Sequence, residues 1–204
     1  TGGRLVINGI HPAVSAVQID TGGTLSGNGL INGGLTVNGT LAPGDGLGRL
    51  RLTMPPLLRG VTLMEINRTN ATTADNLQVS GMLTYGGILV VTNTGPHSLE
   101  AGDSFVLFSS AGWAGGFSGT DLPPLTPGLG WDWRPADGTL TVIQAINVRP
   151  TNLVCTASNG QMQLSWPTDR TGWTLEYQTN ELGTNWLVWS GSSNANLVVV
   201  TNFQ

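Results

Sequence analysis

The chain has 204 residues, only 10% of them charged against a usual quarter, and a formal net charge of −4. All eight basic residues are arginine, so neither nucleic acid nor an anionic membrane finds the lysine and arginine cluster it rewards. No run of 18 apolar residues spans a bilayer, and the one cysteine, Cys155, excludes an intrachain disulfide and a structural zinc site.

In chain order, the first elements are short apolar stretches between glycine corners: Arg4–Ile7, Val14–Ile19 and Gly34–Val37. The run from Gly22 to Leu41 reads GGTLSGNGLINGGLTVNGTL. Strands of two to four residues are too short for a sandwich sheet but suit a parallel coil, in which each short strand lies above its equivalent in the turn below. Asn-Gly occurs at Asn8-Gly9, Asn28-Gly29, Asn32-Gly33 and Asn38-Gly39. One copy alone signals a two-residue hairpin, but four copies at this spacing favour corners of a coil, with Gly or Asn taking the positive φ. Helix signals are almost absent, because Gly or Pro interrupts every i, i+3, i+4 apolar pattern.

Further strands are predicted at Arg49–Thr53, Val61–Ile66, Leu77–Val79, Ile88–Thr92 and Ser104–Phe108, longer and less regular than the first. Phe105, Phe108, Trp113 and Phe117 then bring in large aromatics. The stretch Asp121–Gly130 (DLPPLTPGLG) cannot be ladder interior. Trp131-Asp132-Trp133 and a strand at Thr139–Ile143 complete a cap over the open apolar end, which repeat folds require. Beyond Ala145–Thr151 come longer alternating strands at Leu153–Thr156, Gln161–Trp166, Thr174–Thr179, Trp186–Trp189 and Asn196–Thr201. Turns fall at Asn159-Gly160 and Thr171-Gly172. The expected fold is all-β: a short right-handed parallel β-helix (β-solenoid) with a β cap over residues 1–145, then a small β-sandwich over 146–204 reached through Arg149-Pro150. Both ends read as cuts in a longer polypeptide. Cys155 is expected as a small buried residue in a strand, and Trp166 and Trp173 as core.

Two motifs carry a resemblance. Asp20-Thr21-Gly22-Gly23-Thr24-Leu25-Ser26-Gly27-Asn28-Gly29, followed by Gly34-Leu35-Thr36-Val37-Asn38-Gly39-Thr40-Leu41-Ala42-Pro43-Gly44, resembles the autotransporter-associated β-strand repeat, also called the passenger-associated transport repeat. The likeness is close over about 30 residues and looser to residue 143, through Met64-Glu65-Ile66, Leu83-Thr84-Tyr85-Gly86-Gly87 and Ala101–Phe108. It implies an exported, extracellular or cell-surface bacterial β-helical protein with no catalysis in the repeat. Leu164-Ser165-Trp166-Pro167, Gly172–Glu176 and Gly183–Trp186 resemble a fibronectin-type-III-like module.

Signals for chemistry are sparse. His11 and His97 sit beside prolines in turn contexts, with no spacing that makes a metal site. Gly116-Phe117-Ser118-Gly119 lacks the spacing and helix of a nucleophile elbow, and Gly44-Asp45-Gly46-Leu47-Gly48 lacks the helix that would hold a phosphate. The twelve acids are scattered, and Glu65 with Asp75 is the least implausible acid and base pair for a polysaccharide-degrading enzyme. Asp103 and Asp132 have no acidic density behind them for calcium. Asn38, Asn67 and Asn70 open Asn-x-Thr sequons. Trp131/Trp133 and Trp186/Trp189 are read as pairs on one strand face, where rings stack on sugars or fill a core. No catalytic residue, cofactor or metal is expected. The expected function is a structural or adhesin-like surface protein that self-associates head-to-tail by strand addition; the alternative is a carbohydrate-binding module for surface glycans.

Overall fold

The computed structural model describes residues 2–145, 151–170, 172–178 and 186–201. The chain is all-β with parallel sheets, and it divides into two units, one ending near Ile143 and the other comprising Thr126–Gly130 and the residues from Gln144 on. The predicted linker Arg149-Pro150 and the corner residue Thr171 lie outside the described residues.

The first unit opens with β1 (Arg4–Val6), β2 (Ile10–His11), β3 (Val17–Ile19), β4 (Thr24–Gly27), β5 (Leu30–Ile31), β6 (Leu35–Val37), β7 (Thr40–Pro43), β8 (Arg49–Leu52) and β9 (Leu57–Leu58). It continues with β10 (Val61–Ile66), β11 (Asn76–Tyr85), β12 (Ile88–Asn93), β13 (Ser104–Val106), β14 (Phe108–Gly115), β15 (Gly119–Asp121), β16 (Leu129–Arg134) and β17 (Thr139–Gln144). Sequence neighbours do not pair at the start. Each of β1 to β8 instead pairs in parallel with the third strand onward, and β10 with β12, giving sheets in the orders β1-β4-β7-β10-β12-β15, β2-β5-β8-β11-β14 and β3-β6-β9. The Asn-Gly dipeptides of the first 40 residues therefore join strands of different sheets and are not hairpin turns. In the first sheet the register partners run Arg4, Thr24, Thr40, Val61 and Ile88. The interval grows at the end because longer loops are inserted between the later strands.

Alternation within strands sorts the side chains. Leu25, Leu41, Thr62 and Leu89 follow one another in register and are fully buried, as are Ile31, Leu52 and Val79 on the second sheet, and Val37 and Leu58 on the third are buried too. Branched aliphatic residues fill most of this core.

The glycines of the Asn-Gly corners have a different role from the one expected. None of Gly9, Gly29, Gly33 and Gly39 has a positive φ. The constraint at three of them is proximity: a Cβ would fall 2.3 Å from the Gly9 carbonyl oxygen at Gly29, 2.0 Å from that of Ser15 at Gly33 and 2.3 Å from that of Gly23 at Gly39. The backbone of one layer rests directly on the next, and only hydrogen fits between them.

At the far side, β13, β17 and β16 form a separate sheet in which β13 and β17 are antiparallel. Phe105, Leu107, Leu140 and Val142 are buried there. Tyr85, Phe108, Phe117 and Trp133 make one aromatic cluster with ring centroids 5.0–6.1 Å apart. Trp113 stacks on Tyr85, whose hydroxyl donates to the Pro135 carbonyl.

The second unit contains β18 (Val154–Ser158), β19 (Gln161–Ser165), β20 (Glu176–Tyr177), β21 (Leu187–Val188) and β22 (Leu197–Thr201). An antiparallel sheet has the order β18-β19-β22, and β20 pairs with β21. Asn159 (φ 52°) and Gly160 (φ 71°) both adopt the left-handed conformation that a two-residue hairpin demands. Trp166 is buried as expected, whereas Trp173 is half-buried. Cys155 lies in a strand but is exposed, contrary to expectation. Its side of the sheet carries Ala157, Met162, Leu164, Val198 and Val200, and Val198 alone of these is fully covered.

Candidate functional site

The sequence offered Glu65 and Asp75 as an acid pair, and the fold brings them together. β10 carries Glu65 on its outer face, and the short loop after it returns the chain so that Asp75 lies alongside. Asp75 donates its backbone N–H to the Glu65 carbonyl (2.8 Å), and Glu65 N–H donates to Asp75 Oδ2 (2.8 Å). Gly48 N–H donates to Asp75 Oδ1 (2.9 Å). The carboxylate thus buckles the loop at Gly44–Gly48 and the start of β11 to the middle of β10. Gly44, with φ 95°, has no room for a Cβ, which would meet the Gly46 carbonyl oxygen at 2.1 Å and Asp75 Oδ1 at 2.8 Å.

Both acids line a cavity of about 240 Å³ on the outer face of the first sheet, with Arg4, Thr24, Ser26 and Leu63 among its other walls. Arg4 donates to Ser26 Oγ (2.9 Å) and reaches Asp45 across the loop (3.0 Å). Asp75 is 1% exposed. Burial pushes its carboxyl from an ordinary 3.8 up to about 7; the Glu65 and Gly48 N–H groups pull it down, and the nearby Glu65 carboxylate adds to the rise.

Two carboxyl groups in unlike environments are the raw material of acid–base chemistry. Here, however, each Asp75 oxygen already accepts a main-chain N–H, and the side chain presents almost no surface. A general acid has to touch the substrate's leaving atom. The geometry therefore describes a structural buckle. Sequence reasoning selected the pair but not its neighbours Arg4, Ser26 and Asp45, which arrive from strands and a loop 20 to 70 residues away with no local signal.

The remaining candidates are dispersed. His11 sits on β2 with Ser15 Oγ 3.3 Å from its Nε2, and the His97 carbonyl accepts from Asn93 Nδ2. No cluster of three metal-ligating side chains exists among the described residues. Asp103 is held by Arg68 at 3.1 Å, and Asp132 by Arg134 at 2.7 Å. Asn67 is buried with its Oδ1 accepting from Thr69, whereas Asn70 is exposed.

The four tryptophans read as glycan contacts fall in two different units. Trp131 and Trp133 belong to the first unit, Trp186 and Trp189 to the second. Trp131 is half-buried and donates Nε1–H to the Pro123 carbonyl (2.9 Å), and Trp133 is half-buried in the aromatic cluster. Trp186 and Trp189 are three residues apart, an odd spacing that puts them on opposite faces of an extended chain. Trp189 packs edge-on against Tyr177 at 5.4 Å, and Trp186 is 52% exposed.

No protein-family model matches the chain, and no curated protein matches it. Among the described residues no helix is long and apolar enough to cross a membrane.

Proposed function

We propose that the chain is a non-catalytic structural protein of the exported, cell-surface kind, built as a short parallel β-solenoid with a fibronectin-like sandwich module, which self-associates by strand addition. The parallel pairing of each of β1 to β8 with the third strand onward supports the solenoid, and the aromatic cluster beside β13, β16 and β17 supports a cap. The resemblance of Gly22–Gly44 to the autotransporter-associated repeat, and a lysine-free composition rich in Gly, Thr and Asn, support export.

The observation that carries the self-association is the outermost layer. Leu5 belongs to the column whose members Leu25, Leu41 and Leu89 are fully buried, yet Leu5 is 43% exposed. Val6, Ile10 and Val14 beside it are 43%, 73% and 93% exposed. β1 and β15 are the two edges of one parallel sheet, so β15 of one copy set against β1 of the next continues that sheet head-to-tail. Light scattering across a concentration series tests this. The expected result is a mass that rises with concentration and falls to the monomer in a Leu5→Lys, Ile10→Lys variant. A monomer at every concentration overturns the reading.

Glycan binding is the second reading, and the exposure of Trp186 is what favours it. A glycan array on the native protein and on Trp186→Ala decides it, no difference between the two removing it.

A further inference from the structure

We propose that the groove beside the second half of β12 is a peptide-binding site, which takes an extended segment of another polypeptide by strand addition. β12 runs from Ile88 to Asn93 and pairs with β10 along all six residues. On its other side β15 covers only Ile88, Leu89 and Val90, ending at Asp121. The cause is local. Residues 122–124 are Leu-Pro-Pro, and two prolines in succession have no N–H to donate to a ladder and turn the chain out of the sheet. The Pro123 carbonyl is taken instead by Trp131 Nε1–H. Among the described residues no strand pairs with this edge of β12 from Val91 to Asn93, although the sheet continues on its other side.

The space between that edge and the proline segment is a groove of about 440 Å³, walled by Thr92, Asn93, Asp121, Leu122, Pro123 and Pro124 among others. An unpaired strand edge at the floor of a groove is the arrangement that strand-adding recognition uses: main-chain hydrogen bonds supply affinity, and alternate side chains supply selectivity. The walls specify the occupant. Leu122, Pro123 and Pro124 offer an apolar side for small branched side chains. Asp121 places an exposed carboxylate at the end of β15, where a segment continuing the line of β15 in parallel with β12 would begin. That position selects a positive charge at the segment's N-terminal end, either a basic side chain or a free amine. An antiparallel segment would bring its C-terminal end to Asp121, where a free terminal carboxylate is disfavoured by like charge. The site lies within the first unit beside β15, the edge that the self-association proposed above would use, so binding is read on the Leu5→Lys, Ile10→Lys variant as well as on the native chain, which keeps the two tests distinguishable.

The probe is a synthetic pentapeptide, Lys-Val-Thr-Val-Thr, amidated at its C-terminus with a free amine, titrated into the full chain with hydrogen exchange read residue by residue. The expected result is saturable binding with slowed exchange confined to residues 91–93 and the adjoining groove. Affinity falls at least tenfold when the peptide carries Glu in place of Lys and is acetylated, and again with Asp121→Lys, whose side chain is exposed and whose fold is checked by circular dichroism. N-methylation of alternate peptide nitrogens in turn abolishes binding in one phase and spares it in the other, as ladder pairing requires. No binding at millimolar peptide, protection located elsewhere, or binding indifferent to both Asp121→Lys and N-methylation overturns the proposal.

Discussion

The Asp75 buckle makes a prediction whose sign is unusual for a carboxylate. In the unfolded chain Asp75 titrates at its ordinary 3.8, and in the folded chain at about 7. The folded state therefore holds this proton more tightly. The contribution is fully present below pH 4, is lost progressively as pH rises from 4 to 7, and stays lost above. A tenfold change in proton affinity is worth about 1.4 kcal/mol, so the whole span amounts to about 4 kcal/mol at most, with a slope near 1.4 kcal/mol per pH unit in the middle of the window. The opposing group is Glu100, which the Arg68 hydrogen bond and charge hold below the usual carboxylate range. Its effect is confined to more acid solution and does not reach pH 5 to 8. The perturbation is Asp75→Asn. An amide has no charge to desolvate but can accept only one of the two N–H groups from Gly48 and Glu65, and the orphaned one costs about 1–3 kcal/mol. Below pH 5 the variant should be the less stable protein; near pH 8 the two stability curves should meet or cross. Denaturant unfolding at half-unit pH steps, with hydrogen exchange at Gly48 and Glu65 to isolate the first unit, measures this directly. Stability that rises between pH 5 and 8, or an Asn variant with the same slope as the parent, refutes the argument.

Two further outcomes separate packing from surface. Gly29→Ala and Gly39→Ala should each destabilise the first unit by about 1–3 kcal/mol, because the new methyl meets a carbonyl oxygen of the layer beneath; Gly160→Ala, with open space around it and φ 71°, should lose only about 1 kcal/mol. Thermal melts compare the three. Phe108→Ala should remove about 3–5 kcal/mol from a fully buried ring in the aromatic cluster, while Trp186→Ala should stay within about 0.5 kcal/mol because half its surface is in water. A Trp186 effect as large as that of Phe108 would mean that its ring is packed.

Much of this architecture was legible because its signals are local. Strands of two to four residues, as at Leu30–Ile31 and Leu35–Val37, were legible from the glycines that bound them, and the prolines at 123 and 124 ended β15 where their missing N–H groups required. What sequence alone misread was the reason for the glycines. An Asn-Gly pair signals positive φ in a hairpin such as Asn159-Gly160, and the same two letters at Asn28-Gly29 answer to a neighbour 20 residues away. Proximity between layers leaves no trace in a dipeptide. The exposure of Cys155 was equally invisible, because whether a strand face is covered depends on which other strands are present. The reading of Trp186 and Trp189 as one pair failed on arithmetic: a spacing of three cannot place them on one strand face.

The disposition of polar groups also bears on why chemistry is absent from the proposed function. Asn8 Oδ1 accepts Asn28 N–H at 2.9 Å, and Asn28 Oδ1 accepts Arg49 N–H at 3.0 Å, so one corner carries a ladder of amides in which each layer caps the next. Asp75 does the same for Gly48 and Glu65 one corner on. A stack of short strands exposes main-chain N–H groups wherever it turns, and each needs an acceptor. The side chains best suited to catalysis or ligation are the ones a corner consumes. In the buckle beneath Gly44–Gly48 the acid most perturbed by its surroundings is also the one most completely hydrogen-bonded to its own backbone. A perturbed carboxyl in a groove is a fair flag for a site, but here the perturbation has a sufficient structural cause in burial and the neighbouring Glu65 carboxylate.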